Sequence, residues 1–248
     1  MRILLLNPNT SPAITALLEQ AARPVAAAGT EIVGMTAARG VPYIASRAEA
    51  ALGAVAVLEL LAEHHAQYDA AIIAAFGDPG LGAARELFPI PVVGLAEAGM
   101  LTACMLGAQF GIVTFAQLLE PWYRECVAWH GLNARCAGVF ALPGGFTAIE
   151  GVGAEREDAL VALAASAVSE GADVVVLAGA PLSGLAVRVR DRIEVPVVDC
   201  AVAAVKQAEA LVAVGARKPT AGSFRRPPAK AATGVDPALT RWIGHMPG

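Results

Sequence analysis

The chain has 248 residues, 56% of them hydrophobic and 16% charged, which suits one large α/β unit or two small domains and excludes a disordered chain. A formal net charge of -4, with no run of Lys or Arg, leaves no basic footprint for nucleic acid or for an anionic membrane surface. The only lysines are Lys206, Lys218 and Lys230, all late in the chain, which excludes a Walker lysine and counts against pyridoxal phosphate chemistry.

Residues 2–6 (R-I-L-L-L) read as a strand, and Ser11 caps the next helix with Pro12 at its first position. Residues 31–35 are strand-like. Residues 47–67 read as a long alanine-rich helix with Leu52, Val55, Leu58 and Leu61 at helical spacing. A strand at 70–75 stops at F-G-D-P-G and hands over to a helix near 81–87, then a strand at 91–95. The second round runs helix 98–107, strand 111–115, helix 116–130 and a β stretch at 139–142. Helix 155–169, strand 173–177, helix 182–193, strand 195–198 and helix 201–214 complete it. The uncharged run 98–119 is long enough to span a bilayer, but Gly107, Gln109, Gly111 and Gln117 interrupt it, and it parses as helix, turn, strand and helix. The opening apolar run is too short for a signal peptide, so a soluble, cytoplasmic protein without membrane partners is expected.

Alternating βα units imply an α/β fold with parallel sheets covered by helices on both faces. The chain also repeats itself. Y-D-A-A-I-I-A-A-F-G-D-P-G-L (68–81) matches G-A-D-V-V-V-L-A-G-A-P-L-S-G-L (171–185), and F-P-I-P-V-V-G-L-A-E-A (88–98) echoes I-E-V-P-V-V-D-C-A-V-A (193–203). Two pseudo-symmetric halves are expected, 1–97 plus 208–225 and 98–207, with a ligand cleft between them. The tail from Lys218 reads as extended, and its end, 226–248, as an arm packed on the body or on a partner subunit of a homo-oligomer.

Several residues have both a chemical and a structural reading. N-P-N-T-S (7–11) offers amides, hydroxyls and helix N-terminal N–H groups to a carboxylate or carbonyl, and equally well caps its own helix. Asp78, before Pro79, is an N-cap and turn former or a general base at the cleft. Gly77 and Gly80 allow close approach to a ligand or tight turning. Thr114 ends the strand G-I-V-T-F, and Tyr43 is a lid over the cleft or a loop-packing aromatic. Cys200, beside Asp199, is a reactive thiol or an inert buried one. Cys104, Cys126 and Cys136 read as packing residues. No C-x-x-C spacing signals a metal, and the adjacent His64 and His65 diverge by about 100° on a helix, which reads as solvated surface. Ser183 lacks the glycine frame of a nucleophile elbow.

Taken in order, N-P-N-T-S, F-G-D-P-G-L, P-V-V-G-L-A-E-A-G-M and V-P-V-V-D resemble the hydantoin racemase branch of the aspartate/glutamate racemase superfamily, through about residue 225. The resemblance implies a small-molecule substrate between two α/β halves and chemistry with no cofactor and no metal. One cysteine takes a proton from a carbon beside a carbonyl, and another returns it from the opposite face. At the two positions where the resemblance implies thiols, this chain carries Ala75 and Gly179. The expected substrate contacts are Asn7, Asn9, Tyr43, Ala75, Phe76, Gly77, Thr114, Gly179, Ala180 and Pro181, with Cys200 and Asp78 as candidate catalytic groups. The functions that follow are altered one-sided or water-based chemistry on an amino-acid-derived carboxylate or cyclic ureide, a non-catalytic binding relative, or a racemase using Cys200.

Overall fold

The computed structural model describes residues 1–144, 149 and 151–246. Strand β1 (Arg2–Asn7) buries Ile3 and Leu5 on one face and Leu4 and Leu6 on the other, the signature of a central parallel strand. Ser11 then starts α1 (Pro12–Ala22): its hydroxyl accepts from Ile14 N–H, with Pro12 at the first helical position. The first half continues through β2 (Glu31–Thr36), α2 (Arg47–His64), β3 (Ala70–Ile73), α3 (Leu81–Leu87), β4 (Val92–Gly94) and α4 (Leu95–Leu106). The second half comprises β5 (Phe110–Thr114), α5 (Glu120–Trp129), β6 (Cys136–Ala141), α6 (Val152–Glu155), α7 (Glu157–Ser169), β7 (Val174–Ala178), α8 (Leu185–Val189), β8 (Val197–Asp199) and α9 (Cys200–Ala213). Helix α10 (Pro237–Ile243) follows near the C-terminus.

The strands form two parallel sheets of four, ordered β2-β1-β3-β4 and β6-β5-β7-β8. The repeat in the sequence is therefore a repeat in topology. In each half the chain runs outward from its first strand and then crosses back to the other side, so the switch points lie between β1 and β3 and between β5 and β7. Ligands of open α/β sheets bind beyond the carboxyl ends of strands at such points.

Helices α4 and α9 pack on each other and tie the sheets together, α4 reaching β7 and α9 reaching β3 and β4. The expected boundary at 207/208 falls inside α9, which is one continuous helix in contact with both sheets. The main core is likewise continuous, from Ile3 and Ile72 to Val113 and Val176.

Two expectations are corrected. The arm at 226–248 is not simply extended. Asp236 Oδ1 accepts from Ala238 N–H (2.7 Å) and Leu239 N–H (3.2 Å), and with Pro237 in the first turn it starts α10. Trp242 of this helix stacks on Phe88 and meets the His65 ring at a centroid distance of 4.3 Å, while its Nε1 donates to Leu87 O. His65 is consequently buried rather than solvated, with Nδ1 2.7 Å from Leu61 O. Residues 247 and 248, the end of the expected arm, lie outside the described residues. Among those described, no helix is long and apolar enough to cross a membrane.

Candidate functional site

The segments leaving the four central strands converge on one small cavity. Asn9 comes from beyond β1, Ala75 and Phe76 from beyond β3, Phe115 from beyond β5, and Gly179, Ala180 and Pro181 from beyond β7. Tyr43 and Ile44, Ile14 of α1, Tyr123 of α5 and Ile149 close the walls. The cavity is partly open and its volume is only about 30 Å³. Phe76 and Phe115, both 2% exposed, fill the space between the strand ends.

The expected contacts Asn9, Tyr43, Ala75, Phe76, Gly179, Ala180 and Pro181 are thus brought together, whereas Asn7, Gly77 and Thr114 do not line the cavity. Asn7 is fully buried behind it. Its Nδ2 donates to Asn9 Oδ1 (2.9 Å), Ser11 O (3.1 Å) and Thr15 Oγ1 (3.0 Å), so the side chain shapes the loop that presents Asn9. Asn9 Oδ1 also accepts from Ser11 N–H at 2.9 Å, which orients the Asn9 amide. Thr114 Oγ1 donates to Ala178 O at 3.0 Å, bridging β5 and β7 just below the cleft. Gly77 lies against the Trp122 ring in a neighbouring groove.

Gly179 adopts φ +115°, and a Cβ there would fall 2.7 Å from Phe115 Cε1 and 3.5 Å from the Tyr123 hydroxyl. This strand end therefore accepts no side chain as built, while Ala75 already carries a Cβ in an ordinary conformation. Tyr123 was not legible as a site residue. It enters the cleft only because the buried face of α5 (Trp122, Tyr123, Cys126, Val127) packs across the interface, its ring 4.5 Å from that of Phe76. The mix of i, i+3 and i+4 spacing on that face was the available signal. Burial pushes the Tyr123 hydroxyl pKa well up, only partly offset by a hydrogen bond with Thr114, so it remains protonated at neutral pH.

Asp78 points away from the cavity. Held at φ +48° and buried, it caps a helix other than the one it precedes in sequence: Oδ1 accepts from Ala96 N–H and Oδ2 from Glu97 N–H, both at 2.8 Å, at the start of α4. His130 Nε2 lies 3.0 Å from Oδ2. Gly94 is required here, because a Cβ would overlap the Asp78 carboxylate. The second half solves the same problem in reverse. Gly94 pairs with Ile73 as Asp199 pairs with Leu177, and Asp199 accepts from Ala201 N–H (2.9 Å), Val202 N–H (3.3 Å) and, across the turn, Gly184 N–H (2.6 Å). In both halves one carboxylate pins the turn after the third strand to the helix after the fourth.

Cys200 begins α9 but lies outside the cavity lining. Its Sγ donates to Leu177 O at 3.3 Å and packs on Gly99 of α4. Burial, then the Asp199 charge, push its pKa well above the ordinary thiol value, so no thiolate is available.

Comparison with known proteins gives a consistent set of relatives. The family model described as Asp/Glu/Hydantoin racemase matches residues 3–208. The hydantoin racemase of Paenarthrobacter aurescens is 38% identical over 239 residues, covering 93% of this chain and 99% of the relative. The hydantoin racemase of Pseudomonas sp. (strain NS671) is 32% identical, covering 95% of each. Among solved structures, the allantoin racemase from Klebsiella pneumoniae superposes with a TM-score of 0.91 at 37% identity, covering 97% of this chain and 99% of that one.

Proposed function

We propose, from the premise that the chain belongs to the Asp/Glu/Hydantoin racemase family, that its cleft receives a cyclic ureide of the hydantoin or allantoin class, or a related amino-acid-derived carboxylate, without two-thiol racemisation. The carrying observation is the cavity lining. Among the described residues its only ionisable side chains are Tyr43 and Tyr123, and Tyr123 is a proton donor to hydrogen bonds rather than a base. Racemisation through a planar enolate needs a group on each face that exchanges a proton near neutral pH. Here the strand ends present a methyl group at Ala75 and a hydrogen at Gly179.

The polar groups at the cleft suit a carbonyl-rich ring, with the Asn9 amide on one side and, on the other, the Tyr123 hydroxyl, which would turn its proton from Thr114 to the ligand. A volume of about 30 Å³ requires the cleft to widen as such a ring enters. Any chemistry there is one-sided or uses water. Racemase activity is the second reading, favoured by nearly full-length relatives named hydantoin racemase and allantoin racemase. It would require a thiol such as Cys200 to reach the ligand.

The test combines thermal-shift binding with deuterium exchange at C5 of single-enantiomer 5-substituted hydantoins and of allantoin, followed by NMR and polarimetry, on the wild type and on Cys200→Ala. The expected result is ligand-dependent stabilisation without exchange above buffer. Exchange with loss of rotation, abolished by Cys200→Ala, would replace this reading with the second. Neither binding nor exchange would sink both.

A further inference from the structure

We propose that Asp78, Cys126 and His130 form a site for a single divalent cation of the zinc class, separate from the cleft and independent of its reading. A carboxylate oxygen, the thiol sulfur and a ring nitrogen of these residues all lie within 4.8 Å of one another. Asp78 comes from the first half, and Cys126 and His130 sit four residues apart, at the end of α5, in the second. Their spacing puts both on one helix face. The His130 and Asp78 side chains are only 7% and 0% exposed, and Cys126 is buried.

The donor set of one thiolate, one imidazole and one carboxylate is of the kind zinc takes. Bond lengths of about 2.0–2.3 Å to these donors place them roughly 3–4 Å apart. The Asp78–His130 pair is already at 3.0 Å, so loading draws the sulfur inward by an ångström or so at most. Orienting contacts are also in place. Ala96 and Glu97 N–H groups fix the Asp78 carboxylate. His130 Nδ1 faces Glu97 Oε1 at 3.7 Å, and Arg85 pairs with that glutamate through both of its terminal nitrogens. The 3.7 Å separation of His130 from Glu97 is longer than a hydrogen bond, and closing it by less than about an ångström would let Glu97 set the tautomer and raise the basicity of the imidazole, as a carboxylate behind a metal-binding imidazole does.

Charge balances as well. Asp78 and a Cys126 thiolate neutralise the dication, and Arg85 offsets Glu97. On binding, the Cys126 S–H bond breaks, its proton leaves to solvent and a sulfur–metal bond forms. For Nε2 to serve as the ligand, the proton it directs at Asp78 Oδ2 (3.0 Å) leaves as Nδ1, on the Glu97 side, takes one up, a tautomer exchange with no net proton change, so the proton released is that of Cys126. Asp78 and Cys126 also border a groove of about 370 Å³ walled by Trp122 and Trp129, which places the site one layer beneath the surface.

The decisive experiment titrates the full chain, stripped with chelator and desalted, with Co²⁺ and then Zn²⁺. We expect one equivalent to bind with a near-ultraviolet thiolate-to-cobalt charge-transfer band, release of about one proton per metal, and displacement of the band by Zn²⁺. Cys126→Ser removes the band, and both it and His130→Gln weaken Zn²⁺ binding by at least about tenfold. Cys104→Ser, Cys136→Ser and Cys200→Ser leave binding unchanged. X-ray absorption on the zinc-loaded wild type needs no variant: one sulfur with nitrogen and oxygen neighbours is the expected shell. A zinc shell without sulfur or with more than one, no band at stoichiometric cobalt, or a band surviving in Cys126→Ser would overturn the assignment.

Discussion

Replacing Ala75 and Gly179 by cysteine, one at a time, puts the asymmetry of the cleft to a direct test. At Ala75 the Cβ exists, and the added sulfur enters a void of about 30 Å³, so the expected cost is below about 1 kcal/mol. At Gly179 two penalties combine. A side chain at φ +115° costs about 1–3 kcal/mol of backbone strain. Its Cβ falls 2.7 Å from Phe115 Cε1, and displacing that fully packed ring adds overpacking of about 1–3 kcal/mol. Gly179→Cys should therefore lose roughly 2–6 kcal/mol. At about 2–4 °C per kcal/mol for a chain of this size, its Tm falls by at least about 4 °C. Urea unfolding of the wild type and both variants, read by tryptophan fluorescence and circular dichroism, measures the difference. Adding Phe115→Leu to Gly179→Cys should recover part of the loss, with a favourable coupling of about 1 kcal/mol in the double-mutant cycle. A Gly179→Cys protein within about 0.5 kcal/mol of wild type, the scatter ordinary surface substitutions show, would refute the steric account of this strand end.

Asp78→Ala strips two N–H groups of α4 and His130 of a charged partner, and should cost about 2–4 kcal/mol in urea unfolding, with Asp78→Asn costing less because one acceptor survives. Asn7→Ala leaves the loop around Asn9, Ser11 and Thr15 without its organising donor; a loss of about 1–3 kcal/mol and weakened ligand binding are expected from unfolding and thermal-shift assays. Burial, reinforced by the nearby Arg226 charge, holds the His65 pKa below its ordinary 6.5, against a hydrogen bond with Leu61 O that raises it. A lowered folded-state pKa means the unfolded chain takes up the proton first, so this stability is complete above pH 6.5 and is lost as pH falls through the folded-state value. Protection factors in α10, that is, exchange rates corrected for the intrinsic pH dependence, should fall on acidification through that window, and His65→Phe should remove that fall.

The local layer of this protein was legible because its signals lie within a few residues of one another. Ser11-Pro12 starts α1, and F-G-D-P-G ends a buried strand, both readable from side-chain periodicity and backbone preference. Asp236-Pro237 carries the same starting signal as Ser11-Pro12, so α10 was equally readable; composition of the surrounding tail masked it. His65 was misplaced for a different reason. Its helix face is covered by Trp242, 177 positions later in the chain, and no local pattern announces a partner at that distance.

Sequence alone determined the order of βα units, their duplication, and the convergence of Asn9, Ala75 and Gly179 at strand ends, since topology follows from which segments are strands and how they repeat. Only the tertiary structure decided the chemistry of what surrounds them. Asp78 belongs to α4 and His130 rather than to the cleft, Tyr123 reaches the cleft from across the interface, and Phe115 occupies the space a side chain at residue 179 would need. Each depends on how α5 and the two sheets pack, a matter of shape complementarity among residues far apart in the chain, and dense packing leaves only one such arrangement free of overlap.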